Sequence, residues 1–472
     1  MDNKAGTPLL YRACKNDIDS RMQRIIYKLS ISIIEEDTEK MKGFKKILAL
    51  VFVAVFAVGM LAACGGGNQQ PAGSGGAQPA GSGAEAPKSN LKIGLICLHD
   101  ENSTYDLNFI EGFKEACEAA GVEYLIRTNV GESQDCYDAA VDLADRGCNA
   151  VFANSFGHED YMIKAAKEFP EVQFCHATGT KAHTEKLPNY GNAFASIYEG
   201  RYLAGVAAGM KLNEMIDEGK IKPEEAKMGY VGAYTYAEVI SGYTSFYLGA
   251  KSVCPTVTMD VTFTGSWYDP SAEQEGAETL IKRGCVLLSQ HADSMGAPTA
   301  CENAGVPDVS YNGSLMDACP NTFVVSSRIN WAPYFKYMID TVSAGKFVEA
   351  DWTGTLATES VQLTEINDKV AAKGTEEAIE SAKAELEAGT RHVFDTSTFT
   401  VSNVDTEKFI NTNAKMDADK HVTSYMADVD DLGDFVGDTE VVADGYFHES
   451  EFRSAPVFDM QIDGITLLNS VL

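Results

Sequence analysis

From Leu91 onward the chain alternates strand-like apolar runs with amphipathic helical ones, and it does so twice. "LKIGLICL" (91–98) is a short continuous apolar run of the kind a doubly covered strand needs. Phe109 to Ala120 then places Ile110, Phe113, Cys117 and Ala120 on one helical face. "VEYLIRTN", "AVFANS" and "VQFCHATG" follow as strands, with helices near 135–146 and 158–169 between them. The rhythm restarts at "KMGYVGA" (227–233) and continues through "VTMDVTFTG", "CVLLSQH" and "PDVSYNG". Strands separated by helices pair in parallel, because only a helical crossover returns the chain to the same end of the sheet. Two rounds of alternation therefore predict an α/β protein with two Rossmann-like, doubly wound lobes.

In such sheets, ligands sit beyond the carboxyl ends of the strands. The residues there run from Asn102 to Asp106, then Asn154 to His158, then His176, Thr178 and Gly179. In the second half they are Tyr234, Tyr236, Trp267, Tyr268, Asp269, His291, Asp293 and Asn312. Aromatic rings, Asn, Asp and His dominate these positions. Carboxylate and phosphate ligands call for an Arg fork or a Lys, and the one obvious candidate is Arg328 in "SSRINW". Two such rims facing each other would suit a polyol or a base: ring faces for stacking, Asp and Asn for hydroxyls. Nucleosides and simple sugars fit; amino acids and phosphates fit less well.

Charge agrees. The 472 residues carry a formal net charge of -30, and removing the first 63 leaves -33. Nucleic acid demands the opposite sign, so it is excluded as a partner. Eleven cysteines lack any CxxC pair or metal-ligand spacing, which predicts mostly free buried thiols and no metal or other cofactor. At the N-terminus, "MKGFKKILALVFVAVFAVGMLAACGGG" joins a basic flank (Lys42, Lys45, Lys46) to an apolar run of 14 residues, Ile47 to Met60. That length suits a signal h-region better than a membrane span. "LAAC", ending at Cys64, resembles a bacterial lipobox, whose Cys is lipidated. Residues 1–40, which include "IEEDTEK", read as a gene-model extension, 41–63 as the signal peptide, and the Gly/Ser/Pro tract 64–90 as a flexible tether. The expected location is the outer face of a bacterial cytoplasmic membrane.

The run from Leu91 to about Val393 resembles the BMP (basic membrane protein) family of ABC-transporter substrate-binding lipoproteins, which includes purine-nucleoside receptors. Thr104-Tyr105-Asp106 stands at the family's "SFN"-type signature, with Gly112 in the helix that follows. "ASIYEGRYLAGVAAG" (195–209) looks like its hinge and inter-lobe helix. "MGYVGAYTYAEVISGYTSFYLGAKSVCP", "WYDPSAEQEGAETLIKRG" and "FVVSSRINW" follow its later pattern. The resemblance implies a periplasmic-binding-protein type I fold. Lobe I would comprise 91–196 and 327–347, and lobe II 197–326 and 348–393. Residues 394–472 would be an extension of unassigned role. It also implies that Tyr105 and Trp267 stack on the ligand. Asp106 and Asp293 would contact base or ribose, with Asn154, Phe156 and Asn312 lining the cleft. Asn330 would be a further ligand contact, standing where many members carry a Lys, and Asp106 replaces their Asn.

These readings together predict a monomeric, membrane-anchored substrate-binding protein. It would capture a small ligand, foremost a purine nucleoside, by hinge closure and deliver it to an ABC permease driven by its ATPase. A sugar-binding importer component or a signalling receptor of the same fold is the alternative. Motifs for catalysis are absent: no GxxxxGK, HExxH or GxSxG occurs. An Asp106–Asp293 pair for glycoside hydrolysis and an adhesin are weaker readings. "DVDDLGDFVGD" fails as an EF-hand, since Leu432 and Thr439 would fall at ligand positions.

Overall fold

The structure, a computed structural model, describes residues 90–471 apart from 407, 409 and 431–436. The proposed extension, signal peptide, lipidation site Cys64 and nearly all of the tether lie outside the described residues.

Two parallel sheets form the two lobes. The first has the order β11-β5-β4-β3-β1-β2, from β1 (Lys92–Ile96), β2 (Glu123–Arg127), β3 (Ala150–Ala153), β4 (Gln173–Ala177), β5 (Tyr190–Ala195) and β11 (Asp351–Gly354). The second has the order β12-β10-β9-β8-β6-β7-β18. It comprises β6 (Lys227–Gly232), β7 (Thr258–Phe263), β8 (Leu287–His291), β9 (Asp308–Tyr311), β10 (Phe323–Ile329), β12 (Val361–Leu363) and β18 (Ile465–Leu467). All neighbours are parallel except β10 and β12. Alternation along β1 shows why both faces must be covered: Ile93 and Leu95 enter one core while Ile96 enters another with Val151 and Leu143.

Three chain passages join the lobes. The first leads from β5 through Ser196 into α4 (Ile197–Asp217). The second leaves β10 at Asn330 and enters α8 (Ala332–Ser343), which packs on α1 (Thr104–Ala120) of the first lobe. The third runs from β11 back to β12. These passages are bonded to one another: the Ser196 amide donates to Gly354 O at 2.8 Å and the Asn330 amide to Ser360 O at 2.8 Å. The domain limits read from the sequence need two corrections. β10 through Ile329 belongs to the second sheet, although the sequence reading puts 327–347 in lobe I. β11 lies in the first sheet, although that reading puts 348–393 in lobe II. A four-residue strand, Asp351 to Gly354, shows too little periodicity to reveal which sheet it joins.

The helix α4 is fastened to the second lobe in two ways. It crosses α5 (Ala237–Val253) at glycine contacts: a Cβ on Gly205 would lie 2.1 Å from Phe246 O, and one on Gly249 only 2.0 Å from Tyr202 O. The fully buried Arg201 then reaches four strands. It donates to Ser310 O (3.1 Å), Ser327 Oγ (3.2 Å), Tyr230 Oη (2.7 Å), Ser289 Oγ (3.0 Å) and Gln290 O (3.1 Å). The rings of Tyr230, Phe246 and Tyr311 surround its guanidinium.

Residues beyond 394 bear on both lobes. They form two small antiparallel sheets, β13 (Ala414–Met416) to β15 (Thr439–Glu440) and β16 (Val442–Ala443) with β17 (Tyr446–Phe447). Ser454 donates to the Asp351 carboxylate in β11, while β18 pairs with β7 on the edge of the second sheet. The nine cysteines of the described residues are all free and buried, as their apolar settings suggest.

Candidate ligand-binding cleft

Each sheet has its topological switch between the first and third strands of its lobe, β1/β3 and β6/β8, where crossovers leave in opposite directions. A pocket opens between those two points. It is lined by Leu98, Tyr105, Ser155, Phe156 and Thr178 from the first lobe, and by Glu238, Trp267, His291, Asp293 and Tyr311 from the second.

Aromatic groups form its walls. Tyr234 and Tyr236 stack at 5.0 Å, and the Trp267 ring stands edge-on to Tyr234 at 5.2 Å. Phe156 meets Tyr236 across the lobes at 5.4 Å, and His99 meets Tyr268 at 5.2 Å. The Thr104 amide donates to Asp293 O at 3.2 Å, also between lobes. With the lobes this close, the cavity volume is only about 20 Å³, space for one or two waters. A larger ligand enters only if the lobes part or the rings turn.

Carboxylate struts hold the strand-end loops. Glu132, just ahead of α2 (Gln134–Asp145), accepts from Ser155 Oγ at 2.6 Å and from the Gly157 amide at 2.8 Å, fixing the loop that bears Phe156. Glu273 in α6 (Pro270–Lys282) accepts from the Ser294 amide at 3.2 Å and the Asp269 amide at 3.1 Å, and so fixes the loop that bears Asp293. Burial pushes the Glu273 carboxyl up to about 7, while those hydrogen bonds pull it back. Thr178 holds φ of 62°, an uncommon conformation for a β-branched residue, at the cleft wall.

The polar groups facing the cleft are acidic or neutral. Asp293 is 5% exposed, and its carboxyl is pushed well above the usual range by burial and by Asp106, Glu273 and Glu238. His291 faces Glu238 at 3.4 Å; burial pulls its pKa down, so the ring is neutral at neutral pH. Tyr311 Oη is buried without a hydrogen-bond partner among the described residues. No Lys or Arg lines the pocket. Such a site supplies ring faces, acceptors and neutral donors, but nothing to neutralise an anion.

Of the residues singled out from the sequence, the fold brings Tyr105, Phe156, Trp267 and Asp293 together at this pocket. Asp106 stands behind it instead. Fully buried, it accepts from Asn154 Nδ2 (2.7 Å) and the His99 amide (3.1 Å). Burial raises its pKa, but bonds from His99, Asn154 and Ser103 outweigh that and hold it below the usual value. Asn154 is likewise committed, accepting from the Leu98 amide at 3.1 Å. Both shape the wall rather than form it, because α1 turns inward under its Ser103 cap. That also removes Asp106 as half of a hydrolytic pair. Asn312, with φ of 70°, closes the turn after β9. Asn330 is a passage residue: its side chain donates to Glu359 O at 3.2 Å and accepts from the Ala332 amide at 3.2 Å. His158, also among the strand-end residues, is buried and bonds Val130 O at 2.9 Å. Glu238, Tyr311 and Leu98 were not singled out: a first-turn Glu, a strand Tyr and a strand Leu carry no signal of their own.

As for metals, Asp428, Asp430 and Asp438 bring ligand atoms within 4.8 Å of one another. The amides of Val429 and Asp430 donate to Asp438, an arrangement that turn formation explains by itself. No helix among the described residues is long and apolar enough to cross a membrane.

Two α/β lobes joined by three passages, with a polar and aromatic cleft at their facing switch points, define a solute-binding protein of the periplasmic type I class. Comparison with known proteins identifies the family. The family model Bmp, ABC transporter substrate-binding protein PnrA-like, matches residues 97–390, and the chain belongs to that family. A purine-binding protein of Brucella abortus is 33% identical over 253 residues, 52% of this chain and 67% of that protein. A protein of Haloferax volcanii named for glucose binding in an ABC transporter is 30% identical over 249 residues, covering 51% of this chain and 59% of that one. Among solved structures, an ABC transporter solute-binding protein of Aeropyrum pernix aligns with TM-score 0.55 at 17% identity, covering 68% of this chain and 95% of that one, a likeness of fold. Family and fold are those of transporter substrate-binding proteins, which act outside the cytoplasm and are not enzymes.

Proposed function

We propose that this protein is the lipid-anchored receptor of an ABC importer and that its ligand is a purine nucleoside. The observation that carries this reading is the cleft lining: Tyr105, Phe156, Trp267 and Tyr311 surround the Asp293 and Glu238 carboxyls without a cation. A base stacks on such rings at about 1–3 kcal/mol each, and ribose hydroxyls and ring nitrogens find acceptors and donors beside them. The purine-binding name of the Brucella relative supports the same ligand class.

The mechanism is hinge closure about the three passages at Ser196, Asn330 and Gly354. Ligand touching both rims favours the closed form, since only there are all its contacts made. The closed pair of lobes is then what the permease engages. Residues 41–63 act as the signal peptide, Cys64 carries the lipid, and the tract after it is the leash.

A simple sugar is the second reading, favoured by the Haloferax relative's name and by the absence of a Lys from the cleft. A thermal-shift panel separates the two. Ligand at about 100 times its Kd stabilises by about 2.7 kcal/mol, so adenosine, inosine or guanosine raises Tm while glucose does not. A shift with glucose alone replaces the nucleoside reading with the sugar one.

A further inference from the structure

The chain's last described residues lie well beyond 390, where the family match ends, yet they return to the aromatic side of the cleft. β18 pairs with β7 in parallel, Ile465 opposite Met259 and Leu467 opposite Val261. Covering an exposed strand edge explains that pairing. It does not explain the contacts made by Asn469 and Val471. Asn469 clamps the main chain of Phe263 from both sides, Oδ1 accepting from its amide at 2.8 Å and Nδ2 donating to its carbonyl at 2.8 Å. Two residues on, Val471 exchanges a reciprocal pair with Thr235. Its carbonyl accepts from the Thr235 amide at 2.7 Å, and its amide donates to Thr235 Oγ1 at 2.9 Å.

Those two grips fall at particular places. Phe263 ends β7, immediately before the loop that delivers Trp267. Thr235 sits between Tyr234 and Tyr236, which stack on each other and lie against Trp267. The tail thus ties the bases of the two loops that carry the ring cluster, and Val471 Cγ1 also packs where Gly265 begins the second of them. A ring wall fixed before the ligand arrives binds more tightly than one that must be ordered on binding.

We propose that Asn469 and Val471 are positioning residues for the aromatic wall of the ligand cleft, so that the C-terminal extension is part of the binding machinery. The proposal rests on the nucleoside reading of that cleft. The test uses the full chain with Asn469→Ala, Thr235→Val and Thr235→Ser. Three quantities are read: adenosine affinity by calorimetry, Tm, and amide hydrogen exchange over 233–236 and 263–267. Asn469→Ala and Thr235→Val are each expected to weaken adenosine binding roughly tenfold, the scale of one or two lost hydrogen bonds. Exchange should quicken in both loops while Tm stays close to the parent value. Thr235→Ser keeps the acceptor and is expected to behave like the parent. Unchanged affinity in both disruptive variants, or a Thr235→Ser as weak as Thr235→Val, would overturn the proposal. If the parent protein binds no adenosine, the nucleoside reading fails by itself. Exchange then decides the positioning role: faster exchange in both loops supports it, and unchanged exchange refutes it.

Discussion

Replacing Arg201 by Met tests how the inter-lobe helix is held to the second lobe. The side chain is fully buried and makes five hydrogen bonds of 2.7 to 3.2 Å, two to main-chain carbonyls and three to hydroxyls. The three hydroxyls can rotate to new partners, so they contribute little to the loss. The carbonyls of Ser310 and Gln290 cannot, and a buried polar group left unpaired costs about 1–3 kcal/mol. Met nearly conserves volume and removes the cost of burying a guanidinium, which offsets part of that. The net expectation is a destabilisation of about 2–4 kcal/mol, the size of two orphaned acceptors less that offset. Arg201→Lys keeps the charge, but an ammonium has three donors for five acceptors, so it recovers less than half of the loss. Urea unfolding followed by ellipticity at neutral pH measures both. A loss below about 1 kcal/mol for Arg201→Met would show that the strand ends do not depend on the guanidinium, and the anchoring argument would fall.

Trp267→Ala is expected to weaken nucleoside binding by about 1–3 kcal/mol, the stacking contribution of one ring. Calorimetry measures it, and an unchanged Kd would remove Trp267 from the site. Gly249→Ala forces a methyl to within 2.0 Å of Tyr202 O, and overpacking of that kind costs about 1–3 kcal/mol or more; a thermal melt as high as the parent's would contradict the close crossing of α4 and α5. Glu449 is 2% exposed and burial pushes its carboxyl from 4.5 to about 7. A raised folded pKa means that the native state holds the proton longer, so this group removes stability as pH rises from about 4.5 to about 7, by about 3 kcal/mol at most. Glu449→Gln should therefore gain on the parent across that window, as read by urea unfolding at about pH 5 and about pH 8; a pH-independent difference would refute the sign.

The sequence displays the fold clearly because buried parallel strands are largely apolar, and "KIGLI" and "AVFA" stand out against the helices between them. The site was legible in the loops just past the strands, which bear Phe156, Trp267 and Asp293. It was not legible for Asp106 and Asn154. Asn154 directly follows β3 and Asp106 lies in the first turn of α1, whose direction makes the two side chains bond each other instead of facing the cleft. Glu132 and Glu273 carry no local signal because a Glu near a helix start looks like any other, although each pins a loop of the cleft. Asn330 aligned with a family ligand position, yet its bonds to Glu359 and Ala332 make it part of a lobe passage. The role of the C-terminal tail depends on contacts more than 200 residues apart in the chain, between Asn469 and Phe263 and between Val471 and Thr235, and no local pattern announces them.

The most direct test of the receptor account is calorimetric titration of the full chain with adenosine, followed by glucose as competitor. The account predicts one adenosine per chain, a saturable heat that is lost in Trp267→Ala, and no displacement by glucose. Saturable binding of glucose with no heat from any purine nucleoside would contradict it.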